Sequence, residues 1–166
     1  VSVVMGVASA YAIEERLAEL GRTLQPGDLE PFTEFLHQRF LQVTGLQLHE
    51  AYQQLEVLSR QFGTFHEDYD LWLTATLAVP SPLLGHLDTT DIESMFTHAG
   101  RFSELTAPFN VTGQPAMSVP AGFDENGLPV GVQLVGPLCS EALLLQVAAQ
   151  LEEAQPWPRL APWPPQ

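Results

Sequence analysis

Hydrophobic positions along the chain change their period several times, and each change predicts an element. From about Met5 to Leu20 the pattern favours a helix, with Ala8, Tyr11, Ala12 and Leu20 roughly on one side and Gly21 placed to end it. Residues 24–27 read as a connecting loop. A second helix is predicted with Asp28 as N-cap and Pro31 tolerated in its first turn. Its apolar face is Phe32, Phe35, Leu36, Phe40 and Val43, and Gly45 is expected to stop it. A third helix is predicted over about 48–62. There Ala51, Leu55, Leu58, Phe62 and Phe65 repeat at alternating four- and three-residue steps and make one stripe. The stripe covers only about two heptads, too short for a coiled coil, so packing onto the body of the protein is the expectation.

The second half of the chain switches towards strands. Leu71 to Val79 is apolar on both faces apart from Thr74 and Thr76, which predicts a strand buried on both sides, ended by Pro80 and Pro82. A polar loop over 85–90 leads into a helix over about 91–106 with the face Ile92, Met95, Phe96, Ala99 and Phe102. Residues 106–136 hold five of the twelve glycines and four of the fourteen prolines, the mark of a tightly turned backbone. Two short strands are readable inside it, Ala116–Ala121 and Pro129–Gly136, joined through Asp124-Glu125-Asn126-Gly127 as a hairpin. The last helix is predicted from Ser140 to Ala154, with Leu143, Leu144, Val147, Ala148 and Leu151 facing inwards and Glu141 favourable in the first turn. The tail from Pro156 carries five prolines and two tryptophans and reads as extended, laid over the surface. No internal repeat is visible.

Composition narrows the partners. At 166 residues, 45% hydrophobic and 16% charged, the chain can bury one sizeable core. A formal net charge of −14 argues against nucleic acid or an anionic membrane as partner, since both need basic patches. The single cysteine, Cys139, excludes an internal disulfide and reads as a packing residue. With no signal peptide in view and no apolar run of membrane-spanning length, a cytoplasmic location is expected.

Motifs for metal or cofactor chemistry are missing, so neither is expected. His37, His49, His66, His86 and His98 form no HExxH and no paired ligand spacing. His66-Glu67-Asp68 with Asp70 reads as a solvated helix end before a strand. Gly131 and Gly136 lie too far apart for a phosphate loop. Asp88, Asp91 and Glu93 are explained by a loop running into a helix N-terminus.

Three runs carry a resemblance: Phe109-Asn110-Val111-Thr112-Gly113-Gln114-Pro115-Ala116, then Val119-Pro120-Ala121-Gly122, then Gly127-Leu128-Pro129-Val130-Gly131-Val132-Gln133-Leu134-Val135-Gly136. They closely resemble the C-terminal conserved segment of the amidase signature family, serine hydrolases of carboxylic amides. Upstream, Tyr69-Asp70-Leu71-Trp72-Leu73-Thr74-Ala75-Thr76 resembles the family's "YD…L(T/S)PT" strand, with Ala75 where the family usually has proline. The resemblance is strong from about Tyr69 to Trp157. Over Val1–Asp68 it is a matter of helix pattern only.

That resemblance implies an α/β fold: an incomplete α/β/α sandwich around a mixed sheet, the C-terminal part of a single amidase domain. Its parts would be a helical region over about 5–66, a sheet and helix region over about 69–154 and the Pro-rich tail over 155–166. It also implies substrate-binding roles for Thr74 and Thr76 at the pocket end of their strand, and for Asn110, Thr112 and Gly113 in a loop near the substrate side. A buried Asn110 with the adjacent Thr112 more often holds loop backbone than touches a ligand, because Asn and Thr side chains readily bond to backbone. His86 and Phe96 are placed towards the acyl or leaving group by position alone.

The family's chemistry needs a lysine, a serine on a cis peptide bond and a nucleophilic serine in a Gly/Ser-rich loop. Here all six basic residues are arginine, and none of the eight serines lies between glycines. A serine needs a base to become a nucleophile, and arginine stays protonated. The chain therefore reads as an amidase portion that shapes the pocket, with no catalytic residue of its own. The expected partners are an amide substrate, an N-terminal catalytic part of the same protein or a companion chain, and a second copy in a homodimer. The alternative is a non-catalytic, amidase-like binding or interaction module.

Overall fold

The computed structural model describes residues 1–157. The prolines and tryptophan of the predicted tail beyond Trp157 lie outside the described residues. The elements in order are α1 (Ser2–Leu20), α2 (Pro31–Phe40), α3 (Gly45–Asp68), β1 (Trp72–Ala75), α4 (Ile92–Ser103), α5 (Ala107–Thr112), β2 (Ala116–Phe123), β3 (Pro129–Val135) and α6 (Glu141–Ala154). They form two compact units. Among the described residues, the first holds 1–62 and 77–112, and the second holds 63–76 and 113–157.

In the first unit, α1 ends as predicted at Gly21. This glycine adopts φ 63°, and Gly21 and Arg22 donate back to Ala18 and Leu17. Its inner face differs from the predicted one. Ala10 and Leu17 are buried, whereas Ala8, Tyr11, Ala12 and Leu20 are exposed. The first half of α1 is apolar nearly all round, so its periodicity could not select a side. Gly6 selects it instead. A Cβ there would overlap the ring of Phe40, so glycine lets α2 approach closely. The buried His37 ring bonds Glu14 across the same pair of helices, Nε2 to Oε1, at 2.8 Å.

Two predicted boundaries move for local reasons. Asp28 does not cap α2. Its carboxylate accepts from Arg22 and from the Gln25 N–H, and Glu30 stands before Pro31 at the helix start. Gly45 opens α3 rather than stopping α2. Thr44 and Gln47 make a reciprocal cap there: the Gln47 N–H donates to Thr44 Oγ1 at 3.3 Å, and the Thr44 N–H donates to Gln47 Oε1 at 2.9 Å. The stripe Ala51, Leu55, Leu58, Phe62 and Phe65 is the less exposed face of α3, as predicted. Phe62 meets Phe109 of α5 at a ring separation of 5.5 Å. Helix α4 is capped by Asp91, which accepts the Ser94 N–H. It packs Phe96 edge-on against Phe32 and Phe35, at 5.3 and 5.8 Å.

The second unit is built on a three-stranded sheet in the order β1-β3-β2. Both pairings are antiparallel, so the mixed pairing of the expected sheet is not found among the described strands. The predicted hairpin is β2–β3. Asp124 turns it by accepting the Asn126 and Leu128 N–H groups, and Gly127 sits at φ 77°. A bulge between Pro120 and Gly122 shifts the register. Strand β1 is shorter than predicted and lies at the sheet edge. Leu73 is 64% exposed, so the expectation of burial on both faces does not hold.

One face of the sheet packs on α6. Val119, Leu134, Leu144 and Ala148 are buried there, with Leu71, Met117, Val132, Val147 and Trp157 packed around them. Leu151 lies outside this layer. The end of α3 joins the unit through Phe65, whose ring is 4.7 Å from Tyr69 and 4.6 Å from Trp72. Cys139, expected as a packing residue, is exposed and holds φ 62°, so it serves the turn before α6 rather than the core.

Two outcomes follow. Gly6→Ala is expected to destabilise the chain by about 1–3 kcal/mol through overpacking against Phe40. Gly63→Ala, in open space on α3, should stabilise it by about 0.5–1 kcal/mol. Urea unfolding of both variants checks the pair. Separately, the hydrogen bond from Arg22, with help from the Gln25 N–H, holds the Asp28 carboxyl below its ordinary range. A depressed folded value contributes stability above the ordinary aspartate range and loses it as pH falls through the depressed value. An NMR titration should place the Asp28 midpoint below that range, and Arg22→Gln should raise it.

Candidate functional site

The polar positions of the second unit's sheet fall on one face because strand side chains alternate. Thr74 of β1 stands opposite Gln133 of β3, which stands opposite Ser118 of β2. Gln133 is only 4% exposed, and its Nε2 donates to Thr74 Oγ1 at 3.0 Å. The Thr74 hydroxyl in turn donates to the Ala75 carbonyl at 3.0 Å. Just past the end of β1, the Thr76 N–H continues the ladder by donating to the Gly131 carbonyl at 3.1 Å. Its hydroxyl meets Ser118 Oγ at 2.7 Å.

That last contact spans the central strand, and Gly131 makes it possible. A Cβ on residue 131 would stand 2.8 Å from Ser118 Oγ and 3.0 Å from Thr76 Oγ1. The close approach over a side-chain-free position is the physical reason for glycine inside a strand that otherwise favours β-branched residues. Thr74 with Gln133, and Thr76 with Ser118, thus make two hydrogen-bonded pairs in one row on the same face, three hydroxyls and one amide in all. Thr74 and Thr76 are the predicted site residues that the structure brings together.

The other predicted residues lie elsewhere in the fold. Asn110 and Thr112 belong to the first unit, in the short helix α5 rather than in the expected loop. Thr112 is buried, and its hydroxyl donates to the Pro108 carbonyl at 3.1 Å, a backbone-holding role. Asn110 is exposed, not buried as its motif context suggested. It lines an open cleft of about 620 Å³ with Val4, Tyr52, Leu55 and Ser59. Gly113 belongs to the second unit and follows α5 with φ 82°. Phe96 is engaged with Phe32 and Phe35, and the Arg39 guanidinium lies 5.5 Å from its ring centre.

Sequence reasoning missed Ser118 and Gln133. The available signal was polarity inside apolar strand runs: Ser118 between Met117 and Val119, and Gln133 between Val132 and Leu134. An amide buried in such a place must find a partner. The row can donate and accept hydrogen bonds. It cannot activate a nucleophile, because it contains no base. Among the described residues no group of three or more His, Cys, Asp or Glu is placed to hold a metal ion. No helix among them is long and apolar enough to cross a membrane.

The amidase family profile matches residues 14–145. The chain belongs to the amidase family. A 6-aminohexanoate-cyclic-dimer hydrolase of a Pseudomonas species (strain NK87) is 37% identical over 159 residues, which are 91% of this chain and 32% of that protein. The enzyme of the same name from Paenarthrobacter ureafaciens is 36% identical over 164 residues, 94% of this chain and 33% of that one. A solved structure of 6-aminohexanoate cyclic dimer hydrolase complexed with substrate superposes with a TM-score of 0.85 at 37% identity, covering 94% of this chain and 34% of that chain. The chain spans about a third of the length of the relatives it matches.

Gly131→Ala is expected to separate Thr76 from Ser118 and to cost about 1–3 kcal/mol of stability by overpacking. Ser118→Ala removes only the exposed hydroxyl pair and should cost about 0.5–1.5 kcal/mol. Chemical denaturation of the two variants, compared at equal m-value, checks the order.

Proposed function

We propose that this chain is the C-terminal part of a single amidase domain. In this reading it shapes the substrate pocket of a hydrolase of carboxylic amides, while catalytic residues lie outside residues 1–166. The observation that carries the reading is the hydroxyl and amide row of Thr74, Thr76, Ser118 and Gln133, held in a family fold whose residues here include no lysine. Such a row suits an amide, which offers one carbonyl acceptor and, in primary and secondary amides, N–H donors. Thr74 and Thr76 bind substrate directly in this reading, with Gly113 of the same unit towards the substrate side, while Asn110 and Thr112 hold the backbone of their own unit. The relatives named for a cyclic 6-aminohexanoate dimer make aliphatic amides, linear or cyclic, the first substrates to try.

In the remaining part, a lysine would draw a proton through a bridging serine, and the nucleophilic serine would attack the amide carbonyl. Loss of the amine leaves an acyl-enzyme, which water then hydrolyses to the acid. A second reading, a non-catalytic amidase-like binding module, is favoured by the absence of lysine alone. A soluble protein located in the cytoplasm fits either reading.

The test is an amide-hydrolysis screen of the longer polypeptide this reading requires, beside residues 1–166 alone. Turnover of at least one aliphatic amide by the longer protein, and none by residues 1–166, is the expected result. A longer protein that carries the lysine and both serines yet hydrolyses none of them supports the binding-module reading. In an active protein, Thr76→Val should lower kcat/KM about tenfold, the worth of one lost substrate hydrogen bond.

A further inference from the structure

The first unit contains a second cleft, about 310 Å³, between the segment preceding α4 and one face of α4. Its apolar wall includes Val79, Leu83 and Phe102, and its polar groups are His86, His98 and Arg101. His98, Arg101 and Phe102 stand at i, i+3 and i+4 on α4 and so share a face. His86 is delivered by a tight turn: its N–H donates to the Leu83 carbonyl at 3.1 Å, and Gly85 takes φ 82°. The two imidazole rings lie edge to face with centroids 4.3 Å apart.

Charge makes this cleft unusual for the chain. Arg16 pairs with Glu19, Arg22 with Asp28 and Arg60 with Glu56, while Arg39 lies over Phe96. Among the described residues, Arg101 alone of the arginines has neither an ion pair nor a ring contact, in a chain with twenty acidic residues. The loop's own acids are engaged locally. Asp88 accepts from the Thr90 N–H at 2.9 Å and from the Thr90 hydroxyl at 2.6 Å, and Asp91 caps α4. Glu104, three residues beyond Arg101, forms no ion pair with it among the described residues.

We propose that this cleft binds a small organic acid, with the carboxylate on Arg101 and the two imidazoles and an apolar tail along Val79, Leu83 and Phe102. A guanidinium fork matches a carboxylate geometrically, and each imidazole keeps one N–H donor even when neutral. The cleft volume is at the small end for ligand sites and suits a short acyl chain. The inference rests on the cleft alone and does not require the hydrolase reading.

The test is an NMR titration of the 166-residue chain with sodium hexanoate at neutral pH and about 0.15 M salt, where long-range repulsion from the net charge is screened. Hexan-1-ol serves as the uncharged control. Saturable shifts centred on Leu83, Arg101 and Phe102, with hexan-1-ol at least about tenfold weaker, are expected. Arg101→Gln should weaken hexanoate about tenfold, and His98→Phe, which keeps the ring and loses the N–H, should also weaken it. Equal binding of hexan-1-ol, undiminished binding by Arg101→Gln, or shifts confined to other regions would overturn the proposal. Tighter binding of the dipeptide N-acetyl-leucyl-leucine than of hexanoate would also overturn it, by assigning the cleft to a polypeptide carboxylate. The comparison of hexanoate with hexan-1-ol needs no variant, so a misfolded mutant leaves the test decisive.

Discussion

Strand β3 is the constraint on which the second unit depends. It is the strand hydrogen-bonded on both sides, and its two faces do opposite jobs. Val132 and Leu134 point to the layer formed with α6, while Gln133 points to the hydroxyls of Thr74 and its neighbours. Because the strand period is two, a slip of one residue would drive the Gln133 amide into the apolar layer and put Leu134 among the hydroxyls. Core and candidate site are therefore specified by one register. Asp124 helps to set that register by gathering the hairpin turn around a single carboxylate.

The first unit is held by a different kind of contact. Its helices meet through aromatic edges and one half-buried polar pair rather than through a broad aliphatic layer. Phe96 touches Phe32 and Phe35, Phe62 meets Phe109, and His37 reaches Glu14 from a site 6% exposed. Aromatic edge contacts add directional preference to burial, which helps to fix helix crossings where few side chains are fully enclosed.

Most elements could be read from the sequence because local signals agreed with packing. The four- and three-residue steps on α3 name its less exposed stripe, and Asn126-Gly127 marks the hairpin. The misreadings came where the deciding partner is distant in sequence. The inner face of α1 depends on the Phe40 ring against Gly6, and nothing near Gly6 announces it. The Leu71–Val79 run is apolar enough for a doubly covered strand, yet the ladder stops soon after Ala75 and leaves Leu73 exposed. Family likeness pointed to Thr74 and Thr76. The hydroxyl row that joins them to Ser118 and Gln133 needed the register, which periodicity alone does not supply.

Pro120 gives the two margins of the sheet different characters. It stands opposite Gly131, whose carbonyl is turned towards Thr76, so the proline's missing N–H faces away from β3 along the outer margin of β2. The bulge beside it twists the same margin further. The outer margin of β1 has no proline and no bulge, but it is only four residues long. The sheet thus has a direction of growth. An additional strand would find a short ladder beside β1, in which the Ala75 carbonyl already accepts from the Thr74 hydroxyl, and a broken one beside β2.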